Sequence, residues 1–99
     1  MSRELRLRPA AERDLAEIWD YTEQEHSRAQ AIDYLQGLDA TLRLLADYPE
    51  IARLRDDFTP PVRLHRYRAH IVVYVAHNTT LEVIRVLHGR ANWDVVLSE

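Results

Sequence analysis

The chain contains no cysteine and no lysine. Without thiols there is no disulfide, no thiol nucleophile and no thiolate metal site. Without lysine there is no amine base and no Schiff-base chemistry, because all thirteen cationic side chains are Arg, which stays protonated. With two glycines in all, there is no glycine-rich phosphate loop. No apolar run approaches the ~18 residues that a membrane helix needs. The opening MSRELRLRPA has no apolar h-region and does not read as a secretory signal, so the cytoplasm is the expected location.

What remains is an ordinary globular balance. Hydrophobic residues make up 46% and charged residues 29% of 99 residues, which points to one domain over residues 1–99. A domain this small lies near the lower end of comfortable stability, so an interface with a partner would help it. The net charge is −3, but the halves differ. Residues 1–50 carry six Arg against eleven acids, and residues 51–99 carry seven Arg against five. Between Val62 and Trp93 there are five Arg and one acid, Glu82.

The patterning predicts β, α, α, β, β, β. ELRLR (4–8) alternates and reads as a short strand with Leu5 and Leu7 inward. Pro9 suits the first turn of a helix running to about His26, with Ala11, Leu15, Ile18, Trp19 and Thr22 as its inner stripe. Glu12, Asp14, Glu17, Asp20 and Glu23 fill the other side. Ser27 and Gln30 fit a capping box for a second helix, Arg28 to Asp47, with Ala31, Tyr34, Leu35, Leu38, Leu42 and Leu45 inward and Ile32 at the edge. Residues 48–61, with three prolines, read as a loop with a turn of helix. Three strands follow: Val62–Tyr67, His70–His77 and Leu81–His88. The middle one is apolar on both faces and is therefore expected at the centre. Their short connections make them antiparallel neighbours. Gly89 releases the last strand, and Ala91 to Leu97 are expected to form a short C-terminal helical segment. The fold class is α+β: an α-helical hairpin packed on an antiparallel sheet.

No constellation reads as a catalytic or metal centre. The five histidines form no HxxxH or HExxH pair, and His70 and His77 stand ~23 Å apart along a strand. Ser27 reads as a cap and Ser98 as part of a terminus. Arg85 falls in an apolar strand, in phase with Leu81, Val83 and Leu87. If buried there it needs a carboxylate, for which Glu17 or Asp20 are candidates. Strand alternation places His88 on the opposite face from Arg85. Trp19 lies at the border of the helix stripe. Trp93, past the glycine, either closes the open face of the sheet or is an exposed contact.

The order of elements, the first-helix run PAAERDLAEIWDY, and above all YRAHIVVYV followed by LEVIRVLHGRANW, resemble ParE toxins of the RelE/ParE superfamily of toxin–antitoxin systems over about residues 4–97. The chain departs from the pattern at the interhelical turn, where members often carry Trp-Gly and this one has His26-Ser27. The resemblance implies either a poison of DNA gyrase or a ribosome-dependent mRNA endoribonuclease. A non-toxic member that only binds an antitoxin is the third reading. RelE-like nucleases use Lys, Arg and a C-terminal Tyr. Here there is no Lys, the last Tyr is Tyr74 in the central strand, and the aromatic after Gly89 is Trp93. Histidines on the sheet, His65, His70 and His88, could substitute, but the missing groups and the net charge of −3 argue against the nuclease; gyrase inhibition without catalytic residues is the expectation that the resemblance to ParE carries. The resemblance also implies a ParD-like ribbon-helix-helix antitoxin, contact with operator DNA only through that antitoxin, no cofactor, no metal and no membrane. The expected target surface is Arg63, Arg66, Arg68, His88, Arg90 and Trp93. The expected antitoxin contacts are Trp19, Tyr21 and Arg85.

Overall fold

The computed structural model describes residues 3–98. Strand β1 (Glu4–Leu7) leads into helix α1 (Pro9–Glu25), which turns back at His26 and Ser27 into α2 (Arg28–Asp47). A 3-10 turn (Pro49–Ile51) and the two-residue strand β2 (Leu54–Arg55) come next. Then follow β3 (Val62–Tyr67), β4 (His70–Ala76), β5 (Thr80–His88) and the short helix α3 (Trp93–Ser98). No helix among the described residues is long and apolar enough to cross a membrane.

Local chemistry explains the helix limits. Pro9 opens α1 where its missing N–H costs nothing, with Glu12 in the first, electropositive turn. Ser27 caps α2: its hydroxyl oxygen accepts the Gln30 N–H at 3.0 Å. Replacing Ser27 by Ala is expected to cost about 1 kcal/mol, which lowers Tm by roughly 4–8 °C in a domain of this size. Thermal denaturation followed by circular dichroism measures it, and an unchanged Tm would count against the cap.

The sheet order is β1-β5-β4-β3-β2. The α+β architecture and the central place of the HIVVYVA strand follow the sequence pattern. Two features depart from it. β1 pairs with β5 in parallel, Glu4 against Thr80 through Leu7 against Val83, so the sheet is mixed rather than antiparallel throughout. The helical hairpin lies in the long connection that a parallel pair requires. A fifth strand, β2, also forms inside the expected loop, with Leu54 and Arg55 pairing with Arg63 and Val62.

Both faces of the sheet are covered. On the helix side Ala11, Ile18, Leu38, Leu42 and Leu45 pack against Val72, Tyr74, Leu81, Val83 and Val86. On the other side Phe58, Val62, Val73 and Leu87 are covered by Trp93, Val96 and Leu97 of α3. Trp93 thus closes the open face. Between β4 and β5 the register jumps: Val73 faces Arg85, but Tyr74 faces Val83, leaving Ile84 as the extra residue of a bulge. Unbroken alternation would group Leu87 with Leu81 and Val83. The bulge instead puts Leu87 in the α3-side cluster and Val86 in the helix-side one.

Candidate functional site

The bulge and the end of β1 together create a groove. β1 pairs only as far as Val83, and Arg8 N–H makes one more bond to Val83 O at 3.0 Å. Beyond that point β5 has no strand neighbour on this edge. The Asp14 carboxylate of α1 takes the place of one. Its Oδ2 accepts the Val86 N–H at 2.9 Å and Arg85 Nε–H at 2.8 Å, and its Oδ1 accepts Arg85 Nη2–H at 2.9 Å. Asp14 is 7% exposed, so the residue expected on the solvent side of α1 is buried, and Arg85 pairs with it rather than with Glu17 or Asp20. One helical turn decides this: among the described residues it is the Asp14 carboxylate that reaches the Val86 N–H of β5.

The groove encloses about 810 Å³ between α1, the start of α2, the β3–β4 turn and the end of β5. Tyr34, His70 and His88 stand side by side along it. The Tyr34 hydroxyl lies 2.6 Å from His70 Nδ1. The rings meet edge to face, at centroid distances of 5.5 Å for Tyr34–His70 and 5.4 Å for His70–His88. Tyr67 supports Tyr34 from behind at 5.1 Å, and its hydroxyl donates to Tyr34 O at 2.9 Å. Arg68 sits at the two-residue β3–β4 turn with φ 50°, a backbone geometry that such turns demand. Its guanidinium lies over the Tyr34 and Tyr67 rings at 5.6 and 5.4 Å and 3.5 Å from Asp33. Among the described residues no group of three or more His, Asp or Glu is arranged to hold a metal ion.

Burial shapes the protonation of this cluster. It raises the pKa of Tyr34, against the pull of the Ala69 backbone. It lowers the pKa of His70, helped by the neighbouring charge of His88 and opposed by Asp14. His65, on β3, is lowered by burial alone. Both imidazoles therefore bind protons less readily in the folded chain than at the ordinary value of 6.5. Stability is expected to be full above that value and to fall as pH drops below it, because the unfolded chain then takes up the protons. Urea midpoints at pH 7.5 and 5.5 test this. His70→Gln should flatten the slope, and a slope unchanged in the His65→Gln, His70→Gln double variant would contradict the assignment.

Of the residues singled out from sequence, the groove gathers Tyr21, Arg68, Arg85 and His88, with Tyr21 on its rim at 64% exposure. Arg85 and His88 keep the expected alternation, with an unbroken register from Arg85 against Val73 to His88 against His70, yet both line the groove because the Arg85 guanidinium reaches across to Asp14 of α1. The others lie elsewhere. Trp19 forms a shallow patch with Ile32 and Leu35 on the helical hairpin. Arg63 donates to Ala52 O at 2.6 Å, and Arg66 Nε donates to Arg68 O at 3.0 Å. Arg90 is exposed, and its backbone N–H donates to His88 Nδ1 at 3.1 Å. Trp93, at the start of α3, packs on the sheet against Phe58, Val62, Val73 and Leu87, with its indole N–H buried and without a partner among the described residues. Asp14, Tyr34 and His70 escape a reading by pattern. Tyr34 looks like one more member of an apolar stripe, and His70 like a polar strand end.

Residues 5–93 match the family model described as ParE toxin of type II toxin–antitoxin system, parDE. The chain is 34% identical over 87 residues to Toxin ParE1 of Caulobacter vibrioides, covering 88% of this chain and 90% of that relative. It is 37% identical over 95 residues to Toxin ParE1 of Mycobacterium tuberculosis, covering 95% and 97%. In fold it is similar to a chain of the chromosomal ParDE TA system from P. aeruginosa, with TM-score 0.72 and 17% identity over 88% of this chain and 96% of that one.

Proposed function

From the premise that the chain belongs to the ParE toxin family of type II toxin–antitoxin systems, we propose that it inhibits DNA gyrase by binding rather than by catalysis. A ParD-like ribbon-helix-helix antitoxin neutralises it, and operator DNA is reached only through that antitoxin. The protein acts in the cytoplasm, where gyrase and replicating DNA are. The observation that carries this reading is the family match across residues 5–93. Composition supports the non-catalytic part: there is no lysine, and the aromatic side chain beyond Gly89, Trp93, has no phenolic proton and is packed on the sheet. The antitoxin occupies the groove lined by Tyr21, Arg68, Arg85 and His88. The exposed Arg66 and Arg90, outside it, face the target.

Purified protein added to gyrase and relaxed plasmid tests the reading. Supercoiling should fall and cleaved DNA accumulate. An equimolar amount of a cognate ParD-like antitoxin should reverse both. Unaltered supercoiling at large excess, or cleavage of ribosome-bound mRNA in its place, would overturn it.

A further inference from the structure

We propose that His70 and His88, with Arg68 beside them, form a receptor for a single carboxylate, and that its occupant is an acidic side chain of an antitoxin segment lying in the groove. The identity of the partner rests on the toxin–antitoxin reading above. The receptor itself rests on geometry.

The hydrogen bonds fix where each imidazole carries its proton. His88 Nδ1 accepts the Arg90 backbone N–H at 3.1 Å, so that nitrogen is unprotonated and the ring proton is on Nε2. His70 Nδ1 lies 2.6 Å from the Tyr34 oxygen. Burial raises the Tyr34 pKa, so its hydroxyl keeps the proton that it can donate to Nδ1, which puts the His70 proton also on Nε2. Neither Nε2 has a hydrogen-bond partner among the described residues. Two Nε2–H donors thus belong to rings 5.4 Å apart and 78° to each other, both on residues that line the groove. The two oxygens of one carboxylate can accept both at bond lengths of about 2.9 Å.

The charges select the same ligand. Asp14 is closed off by Arg85 and the Val86 N–H. The ion pair of Arg68 is weak: its contact with Asp33 is 3.5 Å long, with the two side chains 57% and 73% exposed. Its guanidinium can therefore turn to a better acceptor. Asp33 and Glu17 also line the groove, and they would repel the successive phosphates of a nucleic-acid strand. A lone carboxylate at the histidine end avoids most of that repulsion. Ile18 and Val86 supply apolar wall for the residues flanking it.

Nuclear magnetic resonance on the full chain tests the proposal. Long-range proton–nitrogen correlations at pH 7.5 should show the Nε2–H tautomer for both His70 and His88. The probes are a capped pentapeptide with one central glutamate flanked by leucines, its glutamine counterpart, and an eight-nucleotide oligo-dT. The glutamate peptide should shift both Nε2 resonances and bind at least tenfold more tightly than the glutamine peptide. His70→Gln or His88→Gln should each remove most of that preference while leaving the amide spectrum outside the groove unchanged. Glu17→Gln should strengthen binding of the glutamate peptide. Equal binding of the two peptides, tighter binding of oligo-dT, protons on Nδ1, or no binding of any probe would each overturn the proposal. A protein that prefers the glutamate peptide but leaves gyrase untouched would sink the toxin reading and keep the receptor.

Discussion

Replacing Asp14 by Ala is expected to destabilise the fold by about 3 kcal/mol, the scale of breaking a buried ion pair. For a domain of this size that is a fall in Tm of roughly 12–24 °C. Two losses combine. The Val86 N–H, on a residue 3% exposed, loses its acceptor at 2.9 Å, and an unsatisfied buried donor costs about 1–3 kcal/mol. The Arg85 guanidinium loses a bidentate partner. Its side chain is 30% exposed, so it can turn partly to water, which holds the total at the low end of the range for fully buried pairs. Asp14→Asn keeps an acceptor for the backbone and should cost about half as much. Arg8–Glu82 is the control: the same 2.8 Å contact, with side chains 50% and 28% exposed, is a surface pair. Breaking it should cost about 1 kcal/mol or less. Urea unfolding of the three variants decides the matter. If Asp14→Ala costs no more than Arg8→Ala, the carboxylate is not the keystone of this edge.

That edge also shows what the sequence could and could not disclose. The limits of α2 are legible because three independent signals agree: Ser27 caps, the apolar stripe repeats, and Pro49 stops. The central place of β4 is legible because a strand apolar on both faces must be covered on both. The parallel partner of β1 is not, since ELRL encodes a face but no address. β2 is two residues long, too short to alternate, and exists because β3 offers it a register. The bulge at Ile84 is invisible for a sharper reason: Val83 and Ile84 before Arg85, and Val86 and Leu87 after it, are adjacent apolar pairs, so either phase looks correct. The segment RVLHGRANW carries the family resemblance, yet its side chains part company. Arg85 and His88 open on the groove, Arg90 is exposed, and Trp93 packs on the opposite side of the sheet. Burial of Asp14 follows from where β1 stops, a tertiary fact that no helix periodicity contains.

Gly37→Ala should reverse the usual sign of its class. In a helix interior this change normally gains about 1 kcal/mol. Here the added Cβ would meet the Tyr67 hydroxyl, and Tyr67 Cζ and Cε1 lie 3.2 and 3.4 Å from the Cβ position. Tyr67 is not free to swing aside. Its hydroxyl donates to Tyr34 O at 2.9 Å, and its ring edge rests on Tyr34 with Arg68 alongside. Overpacking costs about 1–3 kcal/mol, so a net loss of about 1–2 kcal/mol is expected after the helix gain is subtracted. Tyr67→Phe alone should cost about 1 kcal/mol by removing the donor to Tyr34 O. In the Gly37→Ala, Tyr67→Phe double variant the obstructing oxygen is gone, so the pair should be more stable than Gly37→Ala alone, a clear departure from additivity. Additive losses would show that the helix shifts to accommodate the methyl group. The consequence reaches the groove, because the Tyr34 ring that Tyr67 props is the one whose hydroxyl sets the proton on His70. Gly37→Ala should therefore blur the His70 tautomer, and the double variant should restore it together with the stability. A residue with no side chain, outside the lining of the groove, would then control a donor within it.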